Sequence, residues 1–161
     1  MMSLFLPLLL AAAQAESEPA STPEARAALL AFAQCVADRS PESSAEALTM
    51  DFRSQTYRSR LRQLARNNED CFRRAGMTMR STGLPFAGAI AERLLARSDE
   101  ALNVRLARAA MSPAPAPFSD TDAAAICVVR SVPDQVAHLL SSPPGSSGEG
   151  MSAEELKTVY A

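Results

Sequence analysis

The chain has 161 residues with 16 basic and 18 acidic side chains, which gives a formal net charge of −2. This length suits one ordinary domain or two very small ones, and the slightly acidic balance argues against a nucleic-acid-binding protein. Because the chain has no Trp, two Tyr and six Phe, its core has to be built mainly from Ala, Leu, Val and Met, which bury less apolar area per residue than aromatic side chains.

The first fifteen residues form an apolar run that ends in Ala13-Gln14-Ala15. The run is too short to cross a bilayer, and its end has the small-x-small pattern that signal peptidase recognises. We therefore expect residues 1–15 to be a signal peptide cleaved near Ala15, and the mature chain to be periplasmic or secreted. Because the first residues include no Lys or Arg, a short core helix is the alternative. No later stretch has the apolar length of a transmembrane segment.

Two helix-start signals follow in the next part of the chain. Thr22-Pro23-Glu24 places a capping residue, a proline suited to the first turn and an early acidic residue in order. Apolar residues then recur at spacings of three and four, which predicts an amphipathic helix with Cys35 near its end. Ser40-Pro41-Glu42 repeats the signal and predicts a short second helix through Leu48.

A third helix is predicted from about Ser54 to Cys71, because its apolar residues also recur at steps of three and four. Cys35 and Cys71 then both lie on buried faces near helix ends. In an oxidising compartment we expect them to form a disulfide, which contributes roughly 3–4 kcal/mol in the chain-entropy model. The alternative is two buried free thiols. With a single His and no Cys-x-x-Cys pattern, the sequence predicts no metal site.

The chain beyond residue 83 contains more helix and one clear boundary. Helix is predicted from Leu84-Pro85, and it either continues to Ala110 or restarts at Ser98-Asp99-Glu100. Residues 111–118 are rich in alternating Pro and Ala, which favours an extended linker. We therefore predict an all-α fold, with a small disulfide-stapled helical bundle at 16–110, a Pro-Ala linker at 111–118 and a partial second helical repeat at 119–161.

The predicted repeat depends on an alignment of Cys127 with Cys35. Without gaps, this alignment places Pro133 on Pro41, and an acidic residue follows the proline in both copies. A cysteine and a proline at the same spacing are harder to obtain by chance than the shared Ala, Val and Leu residues. The sequence therefore predicts that the second part of the chain folds like the beginning of the first.

The end of the chain departs from this repeat. After a predicted turn at 143–148, Ser152 is predicted to cap the last helix. The repeat calls for a second cysteine a few residues past Ala161, so we expect Cys127 to be an unpaired thiol. Either the natural protein has lost its final turn or the sequence is a fragment of a longer chain, and the fragment is our expectation.

The spacing of Cys35, Pro41 and Cys71, followed by the run Ala89-Ile90-Ala91-Glu92, resembles a group of uncharacterised exported helical proteins of Gram-negative bacteria. The likeness spans most of the mature chain, and the missing second cysteine of the second repeat departs from it. The resemblance implies export and a helical fold. Since the group has no assigned activity, the resemblance implies no reaction.

No catalytic set is recognisable in the sequence. His138, the only histidine, lies on a predicted short helix without a recognisable partner, and no pair of carboxylates is singled out by its spacing. The six glycines do not form a phosphate-binding loop or a dinucleotide fingerprint. We therefore predict that the protein is not an enzyme and has no cofactor, and an enzyme whose site forms only on folding is the third hypothesis.

A group of arginines is the one sequence feature with functional meaning. Arg58, Arg62 and Arg66 are four residues apart and share one face of the third predicted helix, and Arg73 and Arg74 follow it. Such a face can bind an acidic envelope protein or an anionic lipid or polymer. A plain solvated helix face is the alternative. The leading hypothesis is a non-enzymatic periplasmic interaction or structural module, and a carrier of a small ligand or lipid is the second.

Overall fold

The computed structural model describes residues 22–75 and 83–160, and the side chains of 73–75 and 160 lie outside the described part. Within these ranges the regular structure is helical with no strand, so the predicted all-α fold is confirmed. The helices are α1 (Pro23–Arg39), α2 (Pro41–Leu48), α3 (Gln55–Asn67), α4 (Glu69–Ala75), α5 (Leu84–Ala96), α6 (Leu102–Met111), α7 (Asp120–Ser131), α8 (Pro133–Ser141) and α9 (Ser147–Tyr160). Among these helices, none is both long and apolar enough to span a bilayer. The predicted signal peptide lies outside the described residues.

The first two helices begin where the sequence predicted. Thr22 caps α1, because its Oγ1 accepts a hydrogen bond from the backbone N–H of Ala25 at 3.2 Å. Ser40 precedes α2 but forms no side-chain capping bond. Its backbone N–H instead donates to the carbonyl of Val36 at 2.9 Å, which closes the end of α1. A single residue therefore joins α1 to α2 in a tight corner.

Helices α1 to α5 share one apolar core, and we call them the first helical unit. The ring of Phe32 is 1% exposed and stacks on the rings of Phe72 and Phe86, with centroids 3.9 Å and 5.2 Å away. Cys35 on α1 and Cys71 on α4 form a disulfide with their α carbons 5.8 Å apart. The predicted disulfide is therefore confirmed. It fixes the short helix α4 against α1 beside the aromatic cluster.

The prediction of one helix from Ser54 to Cys71 is wrong, because the helix breaks at Asn68. Asn68 has φ −121° and ψ 33°, outside the helical region, and its backbone N–H donates to the carbonyl of Ala65. Its side-chain Nδ2 donates to the carbonyl of Leu64 at 2.9 Å. An Asn side chain can compete in this way with the regular backbone bonds, so α3 ends at Asn67 and a separate helix, α4, begins at Glu69.

Helices α6 to α9 form a second cluster, the second helical unit, around the buried side chains of Val128, Val136 and Leu156. The segment after residue 84 is two helices, α5 and α6, separated by residues 97–101. Although α6 lies inside the predicted 16–110 module, it packs against α7 and α8. The packing of the helices therefore places the division between the two units after α5 and before α6. The predicted domain boundaries, with a module at 16–110 and a linker at 111–118, stay a prediction. Residues 113–117 of the predicted 111–118 linker form no helix or strand, whereas Met111 is the last residue of α6.

The corner between α7 and α8 has the same geometry as the corner between α1 and α2. Val132 has φ −136° and ψ 61°, and Ser40 has φ −137° and ψ 55°. The backbone N–H of Val132 donates to the carbonyl of Val128 at 3.0 Å, which matches the bond from Ser40 to Val36. The two corners therefore agree with the predicted repeat, in which Val132 aligns with Ser40.

Contacts between distant residues join the two helical units. The guanidinium of Arg26 on α1 lies 2.5 Å from the carboxylate of Glu149 on α9. Gly145, in the turn before α9, lies so close to Pro23 that an added Cβ would be 2.9 Å from the proline Cβ. The turn between α8 and α9 therefore packs directly on the start of α1.

Candidate functional site

Helix α3 carries the arginines that the sequence singled out. Ser54 caps this helix, because its Oγ accepts a hydrogen bond from the backbone N–H of Tyr57 at 3.1 Å. Tyr57, Leu61 and Leu64 are buried in the core of the first helical unit. Since this apolar stripe is held against the core, the opposite side of α3 is fixed toward solvent.

Arg58, Arg62 and Arg66 lie exposed on this outer side, and we call these three residues the arginine face. Successive members are four residues apart, so their α carbons are separated by about 6 Å along the helix axis. None of the three forms an ion pair with a residue in ranges 22–75 or 83–160. The guanidinium of Arg62 donates one hydrogen bond to the hydroxyl of Ser59 at 3.1 Å.

The neighbouring Arg60 shows how the arginine face differs from the arginines that are paired with carboxylates. Arg60 also lies on α3, but its guanidinium is 2.5 Å from the carboxylate of Glu46 on α2. Like charges four residues apart repel each other across a helix surface, whereas an opposite charge stabilises. The arginine face therefore costs α3 stability, and Arg60 does not. Ion pairs likewise hold Arg26 to Glu149, Arg39 to Asp70, Arg53 to Asp51, Arg93 to Asp38 and Arg108 to Glu100. Three further arginines, Arg97, Arg105 and Arg130, donate hydrogen bonds to backbone carbonyls instead.

Arg73 and Arg74 were predicted to extend the arginine face. Both belong to α4, which follows the break at Asn68, and their side chains lie outside the described part of the chain. Because α4 is a separate helix, the spacing of four residues along α3 does not continue into it. A role for Arg73 and Arg74 in the same face therefore stays a prediction.

Ser152 lies inside α9, so the prediction that it caps the last helix is wrong. Helix α9 begins at Ser147, and the preceding Ser146 accepts a hydrogen bond from the backbone N–H of Glu149 at 3.2 Å. Ser152 is 1% exposed, and its hydroxyl lies 2.5 Å from Nδ1 of His138 on α8. Sequence reasoning missed this pair because the two residues lie on different helices and neither belongs to a local motif.

The pair of His138 and Ser152 has the atoms of a nucleophile and its base, but it lacks the access that catalysis needs. A catalytic serine has to reach the carbonyl or phosphoryl group of a substrate. The hydroxyl of Ser152 is buried between α8 and α9 and is 1% exposed. The pair therefore satisfies a buried hydroxyl and joins two helices. No three His, Cys, Asp or Glu side chains among the described residues are placed to hold a metal ion.

Cys127 on α7 is an exposed free thiol. In the first helical unit, the equivalent Cys35 is half-buried and bonded to Cys71. The Cys127 sulfur contacts the hydroxyl of Ser131 at 4.0 Å. The two aligned cysteines therefore occupy the same position on equivalent helices but have different surroundings.

A groove of about 580 Å³ lies between the two helical units, and we call it the inter-unit groove. It lies between α1 and α5 on one side and the end of α8 on the other. Its walls include Glu92, Leu95 and Pro144. In the sequence, Glu92 is only the last residue of the run Ala89-Ile90-Ala91-Glu92, and nothing local shows that α5 and the turn after α8 meet in space.

Glu92 is the unusual carboxylate of this groove. It is half-buried and forms no hydrogen bond or ion pair with any residue that the structure describes. Burial, and secondly the charge of Glu149, raise its pKa above the ordinary carboxyl value. The neighbouring Glu149 is held by Arg26 and by the backbone N–H of Gly145, at 2.5 Å and 2.6 Å.

This geometry contains two surfaces of opposite charge, the arginine face on α3 and the inter-unit groove with its unpaired carboxylate. The resemblance to exported helical proteins of Gram-negative bacteria stays a prediction, and so does the export of this chain. The chain matches no protein-family profile, no curated protein and no solved structure.

Proposed function

We propose that this protein is an exported, non-enzymatic interaction module whose arginine face binds an acidic segment of another protein. The observation that carries the proposal is the arginine face itself, with three exposed cations in a line on a capped helix and no ion pair within the described residues. An acidic segment would remove the repulsion among the three guanidinium groups. It would also supply the carboxylates that Arg binds in a bidentate manner.

The spacing of the arginine face matches the spacing of charges on another helix. Residues four apart on any α-helix rise by about 6 Å, so an acidic helix with Glu or Asp at every fourth position presents carboxylates at the same interval. Gln63 and Asn67 lie exposed between and beside the arginines, and they offer further hydrogen bonds to such a helix. An acidic helical segment is therefore the partner that fits this face best.

A lipid surface fits the same face less well. Helices that bind at a membrane surface place an apolar stripe next to their basic residues and bury it among the lipid chains. The apolar stripe of α3, formed by Tyr57, Leu61 and Leu64, is buried in the core. A membrane would therefore meet the charges of α3 alone, and electrostatic attraction alone gives weak and salt-sensitive binding.

Export is part of the proposal and has two supports. The first fifteen residues have the pattern of a signal peptide. The Cys35–Cys71 disulfide is compatible with a protein of an oxidising compartment, because disulfides persist there and are rare in the cytosol. The absence of a recognisable catalytic set in the sequence favours an interaction module over an enzyme.

The binding proposal is tested with a synthetic helical peptide that carries Glu at every fourth position. Its affinity for the mature chain is measured by fluorescence anisotropy at low and at physiological salt. We expect the triple variant Arg58→Gln, Arg62→Gln, Arg66→Gln to bind about tenfold more weakly. Three exposed ion pairs at about 0.2–1 kcal/mol each sum to roughly 0.6–3 kcal/mol, and a tenfold change corresponds to about 1.4 kcal/mol within that range.

Two control variants separate the arginine face from net charge. Arg53→Gln, Arg93→Gln, Arg108→Gln removes the same three charges from arginines that already have carboxylate partners, and we expect it to bind within about twofold of the original chain. The variant Arg58→Lys, Arg62→Lys, Arg66→Lys keeps the charge, and its affinity for the peptide should lie between those of the original chain and of the Gln variant at the same positions. An equal loss of affinity for the peptide in the two triple Gln variants contradicts the proposal. So does tighter binding to phosphatidylglycerol vesicles than to the peptide.

A further inference from the structure

The inter-unit groove combines an apolar floor with acidic walls. Leu30 of α1, Leu95 of α5 and Leu140 of α8 are all half-buried and line it. Acidic side chains at its border come from α5 and from the connection between α5 and α6. Its volume of about 580 Å³ lies within the range of roughly 300–1,000 Å³ that is typical of small-molecule sites.

The ion pairs around the groove leave it with unpaired negative charge. Arg93, the cation in the lining, is held by Asp38 through two hydrogen bonds of 2.8 Å and 2.9 Å. Glu100, one of the acids in the lining, is held by Arg108. Both of these residues are therefore neutralised from outside the groove, and a ligand gains little from either of them.

Glu92 and Asp99 are the carboxylates in the lining that form no hydrogen bond or ion pair with the described residues. Asp99 is exposed, so water solvates it. Glu92 is half-buried beside Leu30 and Pro144, at the point where the groove meets a smaller cavity of about 290 Å³. Burial of an unpaired carboxylate costs free energy that a cation placed in the groove would recover.

We propose that the inter-unit groove binds an organic cation of the alkylammonium class, with the ammonium group on the Glu92 carboxylate and the alkyl chain on Leu30, Leu95 and Leu140. Three ammonium donors suit a carboxylate that accepts no hydrogen bond from the described residues. The apolar floor next to it removes the alkyl chain from water. This site is separate from the arginine face, which takes ligands of the opposite charge.

The site is tested with hexylamine on the full mature chain, by calorimetry or by NMR chemical shifts at neutral pH. We expect hexylamine to bind, and hexanol and hexanoate to bind at least tenfold more weakly, because only the amine carries the positive charge. Affinity should also increase from butylamine to octylamine, by up to about fourfold for each CH₂ group that the groove covers. Equal binding of hexanol and hexylamine overturns the proposal.

Two variants of the groove lining decide the role of Glu92. Glu92→Gln should weaken hexylamine at least tenfold, because it removes the unpaired charge and keeps the size of the side chain. Glu100→Gln removes a charge from the same lining, but one already paired with Arg108, and should change the affinity by less than about twofold. Equal effects of both variants overturn the proposal, because they indicate general electrostatic attraction.

An alkylammonium group occurs both in free amines and in lysine side chains. A short peptide with one central lysine, compared with hexylamine, distinguishes the two sources. Tighter binding of hexylamine supports a free amine as the ligand of the groove, and tighter binding of the peptide supports a lysine of a polypeptide as that ligand. Binding of neither probe to the folded chain overturns the proposal. The Arg58, Arg62, Arg66 triple variant should bind hexylamine normally, so failure of one site is distinguishable from failure of the other.

Discussion

Glu92 and Glu149 are two neighbouring carboxylates whose pKa values shift in opposite directions. Burial and the charge of Glu149 raise the pKa of Glu92 above 4.5. The backbone N–H of Gly145, and then Arg26, lower the pKa of Glu149. A carboxyl with a raised pKa in the folded state adds stability as the pH falls through that value toward 4.5. A carboxyl with a lowered pKa loses its contribution as the pH falls below 4.5.

The prediction at the scale of single residues is the effect of Glu92→Gln on thermal stability. At pH 7 this change removes a half-buried unpaired charge and its repulsion from Glu149, so we expect the Tm to rise by on the order of 2 °C. The original chain should recover part of this difference as the pH falls toward 4.5, because Glu92 becomes neutral by binding a proton. Thermal unfolding followed by circular dichroism from pH 7 to 4.5 measures both effects. A lower Tm of the variant at pH 7 would mean that the Glu92 charge stabilises the fold.

At the scale of secondary-structure elements, α3 is stabilised by its buried stripe and opposed by its own surface charge. Arg58 and Arg62 form one like-charge pair four residues apart, and Arg62 and Arg66 form another. Each such pair destabilises a helix by about 0.2–0.5 kcal/mol. Binding of an anionic segment would remove this cost, so the proposed function and the stability of the isolated chain are in conflict on this helix.

The triple variant Arg58→Gln, Arg62→Gln, Arg66→Gln should therefore be more stable than the original chain. We expect its free energy of unfolding in urea to be higher by about 0.4–1 kcal/mol, and the difference should shrink in high salt. The measurement is an equilibrium urea titration. A variant that is less stable than the original chain would show that the arginines have stabilising contacts within the protein, which would weaken the binding proposal.

The disulfide joins two elements, α1 and α4, that are 36 residues apart at the bonded cysteines. Cys35→Ala should lower the free energy of unfolding by roughly 3–4 kcal/mol, because the unfolded chain is no longer closed into a loop. Cys35 is the better position to change, because Cys71 is 1% exposed and its replacement by Ala would leave a cavity in the core. The exposed Cys127→Ala is the control and should change stability by less than about 0.5 kcal/mol. Equal stabilities of the two variants would contradict this prediction.

Local signals explain which elements could be predicted from the sequence. Helices α1 and α2 begin at their Thr-Pro and Ser-Pro signals. The fixed φ of proline acts within the first turn of both helices, and a side-chain cap, from Thr22, acts in α1 alone. The break at Asn68 was missed because the apolar period continues through it to Cys71. The start of α9 was misplaced because two serines, Ser146 and Ser152, both suit a cap, and only tertiary packing places one of them beside His138.

At the scale of the whole molecule, the arginine face was predictable and the inter-unit groove was not. The face follows from the period of α3, because residues opposite a buried stripe are exposed wherever the helix packs. The groove depends on how α8 and α9 approach α1 and α5. That approach is set by contacts such as Arg26 with Glu149, which are 123 residues apart and leave no mark on local sequence.

Gly145 should be the most sensitive position in this contact between the units. Its φ of +78° lies in the left-handed region, and an added Cβ would be 2.9 Å from the Cβ of Pro23. Gly145→Ala should therefore lower the free energy of unfolding by about 1–3 kcal/mol. Gly150→Ala is the matched control, because it lies in α9 with nothing within 4 Å of its added Cβ. That change should raise stability by up to about 1 kcal/mol.

Hydrogen exchange of the two glycine variants is the measurement that locates the effect of Gly145→Ala in the structure. The turn after α8 and the start of α1 should lose protection in Gly145→Ala and keep it in Gly150→Ala, because only the first change forces Pro23 and the turn apart. The disulfide-linked core around Phe32 should keep its protection, since the apolar contacts of the first helical unit remain in place. Uniform loss of protection throughout α1 to α9 would show that the two helical units unfold as one, and that the contact at Gly145 is not a boundary between them.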